Sequence, residues 1–398
     1  MRKKRVLLFS EGFGTGHTQA AYALAEGIRQ LNPEIQCRVI ELGKFLNPTV
    51  GPWILSAYRR TVSSQPKLVG MMYKTQYNKS LKPLTRLALH RVFYSHTLQV
   101  VEQLKPDLII CTHPIPAAVI ARLKRHGLNV PLYTLITDYD AHASWINPEV
   151  NRYLVSAPKV EALLRSRGVP SEIIKVTGIP VHPKFWERHS KKQLRKELGL
   201  ADLPTVLIMG GGWGMLFGQD ILDALTSKLD RIQLIFCMGS NEKLIAKLKA
   251  DPKFAHPNVT ILGYSNEIDK LMDASDLLVT KPGGMTCTEG LVKGIPMLFY
   301  KVIPGQEEQN CQYFVEQGLA EVLDNEAVAY KWLNLLSGKY ELLEEQRRLR
   351  LSPERLQPQR CAETVAGMLV GEAPSDCPRK ERPIPMGPEV EEPVYITP

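Results

Sequence analysis

Short apolar runs that alternate with helical patterns recur along this 398-residue chain, and no other feature narrows the fold as far. An apolar run of a few residues bounded by turn residues reads as a buried strand, and the amphipathic stretch after it as the crossover helix of a parallel βαβ unit. Strands are expected at 5–10, 37–42, 107–111, 132–136 and 152–155, with helices after Gly16, around 84–104 and from Pro116. A second series is expected at 205–209, 233–237, 259–262, 277–280 and 296–300, each followed by a loop and a helical pattern. Single cores rarely grow past about 250–300 residues, so the two series form two domains. The predicted fold class is α/β, with two Rossmann-like domains facing across a cleft. They span 1–183 and 204–340, joined by a charged linker over 184–203 and followed by a helical segment over 341–371. The last stretch, 372–398, holds seven prolines without apolar periodicity and is expected to be disordered.

Ligands of such sheets bind beyond the carboxyl ends of the strands, where the chain concentrates its unusual residues. The first strand runs into Glu11-Gly-Phe-Gly-Thr-Gly-His17, placing Gly14 and Gly16 where backbone approaches a ligand and His17 at the opening of a helix. A dinucleotide site would use such glycines with an acidic residue near Glu41; a tight turn with His17 as a polar cap is another reading. Gly211 and Gly212 form a second loop whose amides suit anionic or sugar oxygens. The strongest segment is Thr-Lys-Pro-Gly-Gly-Met-Thr-Cys-Thr-Glu-Gly at 280–290. There Gly283 and Gly284 free the backbone, and Met285 and Thr286 begin a helix whose amides and dipole suit a diphosphate. Glu289, one turn on, suits a ribose diol as acceptor. Gly305, Gln306, Glu307 and Asn310 offer amide and carboxylate groups to sugar hydroxyls. Asp138-Tyr-Asp140 admits a metal-binding reading, as do His17, His113 and His142 at strand ends. Polar groups lining a cleft is the preferred reading, and no metal is expected.

Charge is distributed unevenly. From Leu42 to Val101 there are nine Lys or Arg and no Asp or Glu, which leaves the two signs equal in number over the rest of the chain. Trp53, Arg59, Arg60, Lys67, Lys74, Lys79, Lys82 and Arg86 in this stretch are expected to meet a membrane. Each Lys or Arg near an anionic leaflet contributes about 1 kcal/mol, and aromatics bury at headgroup level. No nucleic-acid module accompanies the basic stretch, so nucleic acid is not an expected partner. No run approaches the ~18 apolar residues of a span, and the apolar run after the basic start, 6–9, is too short for a signal peptide. The seven cysteines lack any C-x-x-C pair, as suits a reducing compartment. A cytoplasmic protein, peripheral on the inner face of the cell membrane, is expected.

K-P-G-G-x-T-x-T-E-G at 281–290, G-I-P-M-L at 294–298 and P-G-Q-E-x-x-N at 304–310 resemble the donor site of glycosyltransferases that make glucosyl- or galactosyl-diacylglycerol. That family comprises the monogalactosyldiacylglycerol synthase and processive diacylglycerol glucosyltransferase types of glycosyltransferase family 28. G-x-G-H-x-x-A at 14–20, Thr137-Asp138 with His142 and Trp145, and Thr-Gly-Ile-Pro at 177–180 extend the likeness to about residue 340. More distantly, the chain is similar to the N-acetylglucosaminyltransferase of the peptidoglycan lipid intermediate. The resemblance implies a GT-B fold and an inverting, metal-independent transfer of hexose from a UDP-sugar to diacylglycerol, with an acceptor and membrane-binding first domain and a UDP-sugar-binding second domain. It implies His17 as general base, with His113, Asp138, His142 and Trp145 on the acceptor side. Residues 283–286 would hold the diphosphate, Glu289 the ribose, Gln306 and Glu307 the sugar, Tyr264 would neighbour the uracil, and Gly14, Gly16, Gly211 and Gly212 would line the UDP-sugar. One departure stands out: His182 occupies a place where relatives carry Arg, and a neutral imidazole cannot replace a guanidinium fork on a phosphate. An N-acetylglucosamine donor with another lipid-linked acceptor, or a UDP-sugar epimerase, are the alternatives.

Overall fold

The computed structural model describes residues 2–51, 53, 56–57, 60–61, 77, 94–212, 214, 216, 218–341, 345 and 357–371. They form two six-stranded sheets in which every strand pair is parallel. The first sheet holds β1 (Lys4–Ser10), β2 (Ile35–Glu41), β3 (Leu108–Cys111), β4 (Leu132–Leu135), β5 (Arg152–Val155) and β6 (Ile174–Val176), in the order 2-1-3-4-5-6. The second holds β7 (Thr205–Met209), β8 (Gln233–Cys237), β9 (Val259–Leu262), β10 (Leu277–Thr280), β11 (Met297–Phe299) and β12 (Ala320–Val322), in the order 12-11-10-7-8-9. Central strands such as Val6–Phe9 are apolar on both faces because helices cover both, and these four side chains are no more than 2% exposed.

β6 and β12 were not among the expected strands. Each is three residues long with a charge in the middle, Ile-Lys-Val and Ala-Glu-Val, and each lies at a sheet edge, where one flank faces no neighbour. The helix expected from Pro116 starts at Pro114, because proline is preorganised for a first turn and His113 caps it, accepting from the Ile115 amide at 3.2 Å. Of the helix expected around 84–104, Thr97–Leu104 is helical and residues 94–96 form a turn before it; residues 84–93, like the tail 372–398, lie outside the described residues.

The halves are joined twice. The linker leads into a buried ionic knot in which Asp276 accepts from Arg195 (2.5 Å), the Thr205 amide (2.7 Å), Tyr340 (2.8 Å) and Lys191. Beside it the fully buried Lys293 donates to Asp273 (2.6 Å) and to the Glu187 carbonyl (2.7 Å). The chain then returns, and the Arg360–Val370 helix lies on the first domain's Thr15–Leu31 helix, so close that a Cβ at Gly27 would sit 3.0 Å from that of Ala362. One apolar cluster runs through both halves, from Leu8 and Leu24 to Leu278, Met285 and Phe314. At its centre Tyr139 stacks on Tyr313 and meets Phe314 edge-on, both at 4.7 Å.

Candidate active site

Chain order reverses between β1 and β3 in one sheet and between β7 and β10 in the other. These switch points are where strand-end loops diverge and leave room for a ligand. The expected motifs sit at both, and the two sets of loops face each other. A Cβ at Gly16 would lie 3.6 Å from Met285, and one at Gly212 would lie 3.4 Å from Thr15.

On the first sheet, Gly14 adopts φ +109°, a conformation side-chain-bearing residues rarely reach, and turns the chain into the Thr15–Leu31 helix. His17 thereby sits in the first turn, buried, with Nδ1 2.6 Å from the Thr137 hydroxyl. Burial lowers its pKa against the pull of Asp138 and of a backbone bond at Thr112, so the ring is neutral near pH 7. His113 meets it edge-on at 4.8 Å. Burial, and then the closeness of the His17 and His142 imidazoles, holds His113 well below the ordinary imidazole range. Burial, His17 and Arg167 bring His142 down to about 4. Trp145, wholly buried, closes the group 6.1 Å from His17 and 6.0 Å from His142.

Asp138 and Asp140 point to donors in different places. Asp138 accepts from Gln306 (2.8 Å) and Asn310 (3.1 Å) of the second domain, whereas Asp140 accepts from Tyr77 (2.9 Å). Among the described residues no group of three His, Cys, Asp or Glu is placed to hold a metal ion.

On the second sheet, Gly283 caps the Gly284–Lys293 helix without a side-chain hydrogen bond, leaving its first amides to the cleft. Gly284 is required by sterics, since a Cβ there would fall 2.1 Å from the Thr137 carbonyl oxygen. Thr286 and Glu289 on this helix are half-buried. Desolvation, with Asp269 nearby, pushes the Glu289 carboxyl up to about 8. Glu307 pairs with Lys281 at 2.9 Å and accepts from the Ile303 amide at 3.3 Å.

Gly305 caps the Gln306–Glu316 helix, and Gln306 and Asn310, one turn apart, both reach Asp138. Asn310 is 1% exposed and also accepts from the Tyr139 amide (2.8 Å) and donates to the Pro282 carbonyl (3.1 Å). The structure therefore places Asn310 inside the joint between the domains. Tyr264, at the loop after β9, is 70% exposed. His182 caps a short turn by accepting from the Lys184 amide, and burial and Lys184 lower its pKa, which leaves it neutral. The cation beside the glycine loops is instead Lys281, whose stem passes 3.5 Å from a Cβ at Gly211. Lys281 and Thr137 stand inside motifs quoted from the sequence, which give neither of them a role, and Tyr139 is the middle residue of the Asp138-Tyr-Asp140 segment.

Of the residues expected at a membrane, Trp53 and Arg60 are exposed, Trp53 at 79%. Arg59, Lys67, Lys74, Lys79, Lys82 and Arg86 lie outside the described residues.

Two parallel nucleotide-fold sheets whose strand-end loops face each other define the GT-B class of fold. The fold matches Acinetobacter baumannii MurG with a TM-score of 0.56 at 16% identity, covering 92% of this chain and 99% of that one. It equally matches UDP-GlcNAc 2-epimerase from Neisseria meningitidis bound to UDP-GlcNAc, with a TM-score of 0.56 at 14% identity over 93% and 100%. Residues 17–181 match the family model of monogalactosyldiacylglycerol (MGDG) synthase, and residues 205–357 that of the glycosyltransferase family 28 C-terminal domain. A processive diacylglycerol beta-glucosyltransferase of Staphylococcus epidermidis is 31% identical over 331 residues, 82% of this chain and 83% of the relative. The chain belongs to this family of diacylglycerol glycosyltransferases.

Proposed function

We propose that the protein transfers a hexose, glucose or galactose, from a UDP-sugar to the hydroxyl of diacylglycerol with inversion, making a membrane glycolipid. The observation that carries this reading is the meeting of the neutral His17 helix with the bare start of the Gly284–Lys293 helix, in a chain whose curated relatives are named for that reaction. His17 takes the acceptor proton as the hydroxyl oxygen bonds to the anomeric carbon and the bond to the diphosphate breaks. Charge gathers on the departing UDP and meets the amides at Gly284–Thr286 and the ammonium of Lys281, fixed groups that need no rearrangement. Glu289 receives the ribose hydroxyls. Gln306 and Glu307 exchange part of their hold on Asp138 and Lys281 for sugar hydroxyls. These charges suffice for the leaving group, so chelator is expected to leave turnover intact.

No helix among the described residues is long and apolar enough to cross a membrane. Phe45 (50%), Val50 (48%) and Trp53 (79%) are exposed where the basic stretch begins, beside exposed Lys44 and Arg60. That mixture supports peripheral binding to anionic lipid on the inner membrane face. Likeness of fold extends to an epimerase and does not separate transfer from epimerisation. Purified protein incubated with dioleoylglycerol vesicles, chelator and, separately, radiolabelled UDP-glucose, UDP-galactose and UDP-N-acetylglucosamine should put hexose label into lipid. Label that stays water-soluble as an altered sugar nucleotide would overturn the assignment.

A further inference from the structure

Glu11 has no part in the chemistry above, yet it is buried beside the His17 loop. Its Oε1 accepts from the Gly43 amide at 2.8 Å and from the Tyr94 hydroxyl at 3.0 Å. Those two donors stand at the beginning and the end of the acid-free basic stretch. The fit is close, since a Cβ on Gly43 would come within 2.9 Å of the other carboxylate oxygen. Neighbouring bonds reinforce the start of the stretch: Thr18, next to His17, donates to Glu41 at 2.9 Å and lies 3.2 Å from the Ser10 hydroxyl. Within the stretch, Tyr77 donates to Asp140 at 2.9 Å while the Arg167 guanidinium lies over its ring at 4.7 Å.

We propose that Glu11 is a positioning residue for the lipid acceptor: one carboxylate oxygen draws both ends of the basic stretch together against the loop that carries His17. The exposed Phe45, Val50 and Trp53 that follow Gly43 are thereby registered to the base. This rests on the membrane-acceptor reading above. Burial lifts the Glu11 carboxyl to about 7, and the Tyr94 phenol stays protonated because burial and Glu11 hold it far above its ordinary range. Both donors use one oxygen, so a neutral amide at position 11 keeps an acceptor for both.

The test compares wild type, Glu11→Ala, Glu11→Gln and Tyr94→Phe on vesicles of phosphatidylglycerol containing dioleoylglycerol. Glu11→Ala should lower kcat/KM for vesicular acceptor about tenfold or more, while the Kd for UDP stays within about twofold of wild type. Glu11→Gln should restore the rate to within about threefold, and Tyr94→Phe, which removes one donor, should fall between. A scaffold defect would instead lower UDP affinity and lipid activity together. Amide exchange at Gly43 supplies a readout independent of the reaction, and its protection should be lost in Glu11→Ala and kept in Glu11→Gln. Unchanged Gly43 protection in Glu11→Ala, or a Glu11→Gln enzyme as impaired as Glu11→Ala, would overturn the proposal. Absence of lipid glycosylation by wild type would sink the functional reading alone and leave the exchange result to decide the role of Glu11.

Discussion

The two faces of the cleft are built from the same strand-loop-helix unit but do different work. Beyond β1, β3 and β4 the site is made of rings, His17, His113, His142 and Trp145, and burial holds all three imidazoles neutral. Beyond β7 and β10 it is made of glycines and main-chain amides, with Lys281 as the local cation. Taking up a proton needs a titratable side chain whose ionisation the surroundings can tune. Receiving charge on a diphosphate needs only fixed dipoles, and these come from backbone when no side chain intervenes. On the proposed mechanism this asymmetry assigns proton transfer to one lobe and charge stabilisation to the other.

The largest test of that division is His17→Ala, expected to lower kcat about 10²–10⁴-fold while the Kd for UDP by calorimetry stays within about twofold. A parallel loss of nucleotide affinity would show that the ring serves binding instead. The wild-type pH profile sharpens the point. Because burial depresses the His17 pKa, the base form persists as pH falls through the ordinary imidazole midpoint, and the acid limb of kcat/KM should lie below it. Next in size is Gly284→Ala, which sets a methyl 2.1 Å from the Thr137 carbonyl oxygen. Overpacking of about 1–3 kcal/mol should appear as a roughly 10–100-fold fall in kcat/KM, with small-angle scattering showing a more open pair of lobes. Wild-type scattering and activity would mean that the lobes need not meet there. The smallest effect belongs to Glu289→Gln, expected to raise the Kd for UDP-glucose about tenfold. In wild type the carboxyl titrates at about 8 before ligand binds, and ribose favours its ionised form. Affinity should therefore rise from about pH 6.5 to 8.5 with release of a proton, and Glu289→Gln should abolish that slope. A flat wild-type profile would remove the carboxylate from the ribose.

The parts that could be read from sequence are those in which local pattern and local structure coincide. Val6–Phe9 and Val206–Ile208 are apolar and buried on both faces, so their runs announce strands. β6 and β12 bury too little to leave such a signal. Glycines at 211 and 284 are legible as backbone-freeing residues, and the fold uses them so: Gly211 takes φ +69° and Gly284 has no room for a Cβ. Asn310 shows the opposite case. Its spacing from Gln306 is that of one helical turn, but the partner that decides its environment, Asp138, belongs to the other domain. The link from Glu11 to both Gly43 and Tyr94 was equally hidden, because the bond to Tyr94 closes a loop of 83 residues.

The chain alone determined its class of fold, its division into two lobes and the composition of its glycine-rich loops, because periodicity and glycine placement act over a few neighbouring residues. Only the tertiary structure decided which of those groups are charged and which touch. Desolvation of His17 and Glu289 is a sum over atoms brought together from distant segments, and no short window of sequence contains it.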